Sequence, residues 1–409
     1  MDLLLVPVPI FNRYAVPEAY LFRYHAFGEI PSENAPAIRF LEALNLGGVD
    51  AFTGGKPLFV PLRNEMLLEE LDRLCRQPPQ KVVFLLEDEL PVSGPHLSGI
   101  ASFRQMGFRF AAAARSDGRE SGSLPGMLSF LLLGDEVIGH PDRKAHILYQ
   151  KRASPELSLI ATNIRTESLF DQMVKERVDL LEGTFYYDSI QPIETGITPL
   201  KANLIRLLNS VRDENFEFDA IAGIVQRDPA LTLTLMRFVN SPHIGVRHKI
   251  KTIRHAVTVL GQDEVRKWVM AAVFRSLGAE RPNELTRLSL VRAKFAENLA
   301  PLFQLENESQ SVFLTGLFSL LHVVLQMPML KVLESISVSD DIWNALVLER
   351  GPYNAAMKLI LAYERADWGN VARLQSWYSL RIGDIYNAYM NAIVWYNELL
   401  FDNVRPLKK

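Results

Sequence analysis

A chain of 409 residues is too long for one ordinary core, so two or three domains are expected. Its 44 basic and 47 acidic residues leave a net charge of −3, which argues against a chain built as a whole to coat nucleic acid or an anionic membrane. The single cysteine, Cys75, excludes an internal disulfide and any multi-cysteine zinc or iron–sulfur site, and fits a reducing, cytoplasmic setting.

The opening MDLLLVPVPI carries an acid at Asp2 and no basic flank, and reads as a first strand rather than a signal peptide. Up to about residue 195, apolar runs at 3–11, 82–87, 108–113, 127–134 and 146–150 alternate with amphipathic stretches. One of these is 64–76, where Met66, Leu67, Leu71 and Leu74 share a face. Strands that are apolar throughout and separated by helices predict a parallel sheet covered by helices. A βα-barrel is the first choice. A doubly wound sheet is the alternative, although no G-x-G-x-x-G opens a helix after any of these strands.

After Ile193 the pattern is helical. Helices are predicted over 198–212, 216–226 and 229–240, the last opened by Asp228-Pro229. Thr252 caps 253–260 and Gly261 closes it; 262–277 and 284–303 follow. Ser339 is the cap of a helix containing Trp343, and Ile382, Ile385, Tyr386, Tyr389, Ile393, Tyr396 and Leu400 form a terminal stripe. The uncharged run 309–330 approaches membrane-spanning length, but His322, Gln326 and Pro328 interrupt it and it lacks basic flanks, so a buried helix is expected. The domains are therefore 1–194 and 195–409, with a boundary near Thr195–Pro199.

The second half resembles an HDOD domain. The matching stretches are IVQRDPALTLTLMRFVNS (224–241), HAVTVLG (255–261), EVRKWVMAAVFRSLG (264–278), FLTGLFSLLHVVLQMP (313–328) and LILAYERADW (359–368). The first half is similar to the EAL domain that precedes HDOD in a bacterial two-domain signalling family. There the matches are VPVPIFNRY (6–14), FTGGKPLFVPL (52–62), VVFLLEDE (82–89), GFRFA (107–111) and EGTFYY (182–187). The resemblance implies an α/β, βα-barrel-like EAL-type domain followed by an all-α HDOD-type domain. It also implies an activity to be tested, since active EAL domains hydrolyse cyclic di-GMP with divalent metals held by acids at strand ends.

Carried over residue by residue, those acids are missing. Ala113 and Ala114 stand where the family has paired aspartates, and a methyl group cannot ligate a metal. Leu21 takes the place of the naming glutamate, Phe84 (or Leu85) that of the next acid, Leu133 that of a strand lysine, and Gln150 that of a further glutamate. Asp135 and Lys151 fit the pattern. Asp88, Asp135, Glu136 and Glu156 remain as acids near strand ends, and a one-residue shift brings Glu87 into play. The HDOD half has no His-Asp dipeptide, and His322 reads as a hydrogen-bonded core residue. On these grounds no catalytic residue, metal or cofactor is assigned, the chain is expected not to be an enzyme, and cyclic di-GMP binding is disfavoured.

Binding surfaces then carry the expected function, that of a signalling adaptor acting by protein–protein contact, with self-association as one form of it. The basic stretch Arg247, Lys249, Lys251 and Arg254 is the candidate anion or partner patch. Nucleic acid is disfavoured there because no stacking aromatics are interleaved. Trp368, Trp377, Tyr378 and Trp395 make the tail aromatic, as core or as interface. The alternatives are a cyclic di-GMP receptor without turnover and a divergent phosphodiesterase.

Overall fold

The computed structural model describes residues 2–28, 41–42, 44–45, 49–62, 75–86, 94–114, 126–188, 221–222, 225–226, 229–240, 244, 246, 249–277, 283–336 and 338–400. The helix expected at 198–212 and residues 64–74 of the one expected at 64–76 lie outside them. The chain divides into two compact units, Met1–Ile190 with Leu361–Asn387, and Gln191–Ile360 with Ala388–Lys409.

The first unit is built on a closed eight-stranded barrel in which every strand pairs with its neighbours in chain order. β1 (Asp2–Phe11) is antiparallel to both β2 (Pro17–Phe27) and β8 (Leu180–Gly183); the other pairs are parallel. That one exception to the expected parallel sheet has a local cause. Only a short turn joins β1 to β2, and a turn that short returns the chain antiparallel. Asn12 holds it: its Oδ1 accepts from the Tyr14 and Val16 amides at 2.9 and 3.1 Å, and its Nδ2 donates to Glu18 Oε1 at 2.7 Å.

β3 (Leu58–Leu62), β4 (Val82–Leu86), β5 (Arg109–Ala113), β6 (Phe130–Leu133) and β7 (Ser158–Ile164) complete the wall. Side chains alternate between lumen and outside. Ile10, Ala19, Leu21, Phe59, Val83, Leu85, Ala111, Leu132 and Ile160 fill the lumen, so the barrel is a packed core rather than a pore. The outer face meets the helices, as where Phe84 packs against Phe103, Phe108 and Phe110.

Residues 146–150, expected as a strand, belong to the helix Arg143–Ala153. Ile147 and Gln150 are buried while Lys144, Leu148 and Tyr149 are exposed, a helical rather than an alternating pattern. The same helix is clasped to its neighbour by Arg143, which pairs with Glu176 at 2.9 Å.

In the second unit Pro229–Val239, Ile253–Leu277 and Asn283–Leu299 match the expected helices. Gly261 adopts φ 75° inside the second and divides it as the sequence predicted. Thr252 caps its start, accepting from the His255 amide at 3.3 Å. Ser339 stands at the N-cap of Asp340–Val347, without a side-chain bond there. The uncharged run is three pieces, Ser309–Phe318, Leu321–Leu325 and the start of Met329–Ile336. Among the described residues no helix is long and apolar enough to cross a membrane.

Candidate functional site

The C-terminal ends of β2–β8 form the mouth of the barrel, and two residues there extend the lumen-facing rows of their strands. Arg23 lies two beyond Leu21, and Glu182 two beyond Leu180. Their side chains meet at 3.0 Å, with Glu182 2% exposed and Arg23 40% exposed. Glu182 Oε2 also accepts the Asn163 amide at 3.0 Å.

Asn163 has φ 61° and sits in a register shift, where Ala161 faces Leu181 but Ile164 faces Gly183. This is a β-bulge, and it turns the Asn163 side chain toward its neighbours. Its Nδ2 reaches Asp135 Oδ1 and Oδ2 at 2.9 and 2.7 Å, and its Oδ1 accepts from Arg165 Nε at 3.0 Å. The mouth thus carries a chain of polar groups, Arg23–Glu182–Asn163–Asp135, above an apolar lumen. A pocket of about 420 Å³ adjoins it, lined by Leu21, Arg23, Pro61, Leu85, Ala366 and Trp368 among others.

Glu182 holds two donors at once, so its removal leaves both without a charged acceptor. Glu182→Gln should cost about 1–2 kcal/mol and Glu182→Ala about 2–3 kcal/mol, the partly solvated Arg23 limiting the loss. Urea denaturation of the two variants against the parent protein measures this.

Of the positions read from sequence, Leu21 lies in the lumen and Ala113 at the exposed end of β5, two residues beyond lumen-facing Ala111. Ala114 follows the strand, its amide donating to the Leu132 carbonyl at 2.7 Å. Three placements need correction. Phe84 points away from the lumen and Leu85 into it; Leu132, not Leu133, is the lumen residue of β6. Gln150 is buried on a helix, not at a strand end, because 146–150 forms no strand. Lys151, on the same helix, pairs with Asp179.

Glu136 and Glu156 are exposed. Sequence reasoning missed Arg23, Asn163 and Glu182. Arg23 and Glu182 had a usable signal, a charge two residues after an apolar lumen position, whereas the Asn163 bulge had none.

The metals implied by the EAL resemblance need several convergent carboxylates. Among the described residues no group of three His, Cys, Asp or Glu could share an ion, and both oxygens of Glu182 and of Asp135 already accept hydrogen bonds. The described residues do not fit a divalent-metal centre. Glu87 and Asp88 lie outside them.

Elsewhere, Lys249, Lys251 and Arg254 are exposed, while Arg247 lies outside the described residues. Asn240 pins their loop, accepting from the Ile250 amide at 2.7 Å and donating to its carbonyl at 3.0 Å. Burial pushes the Cys75 thiol up, away from the reactive thiolate. Burial, then the nearby Arg292 charge, holds His322 below the ordinary imidazole value, and among the described residues its Nδ1 has no hydrogen-bond partner. The tail is divided: Tyr389 and Trp395 are core, and Trp377 is 77% exposed.

Residues 197–373 match the HDOD domain family. Over 403 residues the chain is 23% identical to the uncharacterized protein YuxH of Bacillus subtilis (strain 168), covering 96% of this chain and 97% of that one. It is 28% identical over 212 residues to the cyclic di-GMP phosphodiesterase CdgJ of Vibrio cholerae (52% of this chain), a match that spans 49%, about half, of CdgJ's length. The structure of Klebsiella pneumoniae BlrP1 in its calcium/cyclic di-GMP complex superposes with a TM-score of 0.39 at 12% identity, covering 46% of this chain and 55% of that one.

CdgJ corrects two expectations, that the chain is not an enzyme and that cyclic di-GMP binding is disfavoured. A protein sharing 28% identity with about half of this chain is a cyclic di-GMP phosphodiesterase.

Proposed function

From a chain that carries an HDOD domain behind an EAL-like barrel, we propose a cytoplasmic bacterial signalling protein whose barrel mouth takes cyclic di-GMP and whose state is read by partner proteins. The division of labour follows the boundary at residues 194/195, with ligand binding before it and protein contact after it. One observation carries the reading: the mouth joins a half-exposed guanidinium, Arg23, to an apolar floor of Leu21, Pro61 and Leu85. That combination suits a ligand with phosphates and flat bases, since Arg pairs with phosphate and stacks on rings.

Glu182 orients Arg23 from one side and leaves its outer face to the ligand. Similarity to CdgJ supports the choice of nucleotide.

Calorimetric titration of the purified full chain with cyclic di-GMP, with and without Mg²⁺ or Mn²⁺, tests this, with the nucleotide checked afterwards for hydrolysis. Binding is expected, and it should weaken at least about tenfold in Arg23→Gln, the loss of one charge-assisted contact. Turnover would make the protein a phosphodiesterase, and binding without turnover a receptor. No heat and intact nucleotide, beside an active EAL control, would overturn the reading.

A further inference from the structure

The β1–β2 hairpin is longer than the wall it belongs to. β3 pairs with β2 only at Tyr20 and Leu21, and β8 pairs with β1 only at Ile10 and Phe11. The hairpin's far half, Asp2–Val6 with Arg23–Phe27, therefore rises past the mouth. A strand edge left without a partner needs its amides satisfied. At Leu5 one hydroxyl does this: Tyr363 Oη donates to the Leu5 carbonyl at 2.9 Å and lies 3.4 Å from its amide nitrogen. Tyr363 is fully buried.

Next to it Trp368 meets Tyr363 edge-on at 5.7 Å and stacks on His25 of the hairpin at 6.1 Å. The turn between these two aromatics is tightly held. The Ala366 and Asp367 amides donate to the Tyr363 and Ala362 carbonyls at 3.0 and 2.9 Å. Asp367 caps the following helix, Trp368–Trp377, by accepting from the Asn370 amide at 3.1 Å. Ala366 has φ 54°, a conformation that normally favours glycine, yet it keeps its methyl group and lines the mouth pocket.

We infer that the turn Tyr363–Trp368 is a built-in gate over the barrel mouth, seated on the β1–β2 hairpin, and that a ligand filling the mouth and the seated turn exclude one another. Ala366 and Trp368 line the pocket together with Leu21, Pro61 and Leu85; the last three are fixed in the closed barrel, so a ligand larger than the pocket must displace the turn. By linkage, whatever displaces the turn favours the ligand, and the ligand favours the displaced turn. The turn also falls within the HDOD-matched segment, which runs to residue 373, although it packs in the barrel's compact unit.

The gate is tested without any ligand by placing a thiol on the mouth floor, Leu21→Cys in a Cys75→Ser full-length chain, and following its reaction with an aromatic disulfide reagent. Adding Trp368→Ala should speed labelling about tenfold, as for a local opening made easier, Tyr363→Phe should speed it less, and Ala366→Met should slow it. Circular dichroism checks that each variant is folded; if Trp368→Ala is not, Tyr363→Phe and Ala366→Met carry the test. Equal rates in all folded variants would overturn the gate.

A second arm rests on the reading of the mouth as a cyclic di-GMP site, and Trp368→Ala should raise that affinity several-fold by removing the competitor. Should neither parent nor variant bind the nucleotide, the proposed ligand falls while the labelling still decides the gate. Affinity lowered by Trp368→Ala would overturn the exclusion and make Trp368 part of the binding surface.

Discussion

Gly183→Ala should prevent the barrel from reaching its native state. A Cβ at this position would stand 2.1 Å from the Ile164 carbonyl oxygen and 2.4 Å from its nitrogen, with φ at +154° besides. Both obstacles are backbone, so no rotamer change relieves them. The approach is this close because β7 carries an extra residue at the bulge and presses Ile164 onto β8.

Separating the strands would also break the Asn163 amide's bond to Glu182. The expected loss exceeds about 4 kcal/mol, a large part of the 5–15 kcal/mol that holds a typical domain. Gly134→Ala is the matched control, since its Cβ would meet nothing within 4 Å and its φ is −78°. That variant should stay within about 0.5 kcal/mol of the parent. Soluble yield and urea denaturation of both variants decide the matter; a Gly183→Ala protein as stable as Gly134→Ala would show that the two strands do not approach so closely.

The second large effect is expected at Gly316, in the helix Ser309–Phe318. There a Cβ would meet the Arg292 carbonyl oxygen at 2.8 Å, Ala293 Cα at 2.9 Å and Ala296 Cβ at 3.0 Å on the helix Asn283–Leu299. Overpacking a tight helix pair costs about 1–3 kcal/mol, and here it opposes the roughly 1 kcal/mol that alanine gains over glycine in a helix interior. Because backbone atoms are the obstacle, the steric cost should fall in the upper half of that range and win, for a net loss of about 1–2 kcal/mol. The melting temperature should then fall by several degrees. A Gly316→Ala protein that melts higher would mean that the two helices separate at little cost and that propensity decides.

Both glycines act through backbone approach, which explains how differently the two halves of the problem were legible. β1, β4, β5 and β6 could be read from composition because runs such as VVFLL and FLLL lie in a wall covered on both faces, and such strands are apolar throughout. β2 was missed as a strand because Arg23 and His25 interrupt its apolar face where it rises past the wall. β8 offers four residues, too few for any period to show. The run HILYQ read as strand because five residues cannot separate a period of two from one of 3.6. Its position in the longer amphipathic segment 143–153 resolves it as helix.

By itself the sequence determined the order of a barrel followed by helices, the interruptions at Gly261 and Pro328, and the absence of carboxylates at 113 and 114, because each of these is written in residue type along the chain. Only the tertiary structure decided which of two adjacent residues faces the lumen, Leu85 over Phe84 and Leu132 over Leu133, since one step of register exchanges the two faces. It alone joined Arg23 on β2 to Asn163 and Glu182 on β7 and β8, with Arg23 and Glu182 standing 159 residues apart. It alone seated Tyr363 on Leu5, 358 residues away. The Arg23–Glu182 contact arises from closure of the barrel, and closure is a property of eight strands together rather than of any stretch that could be read singly.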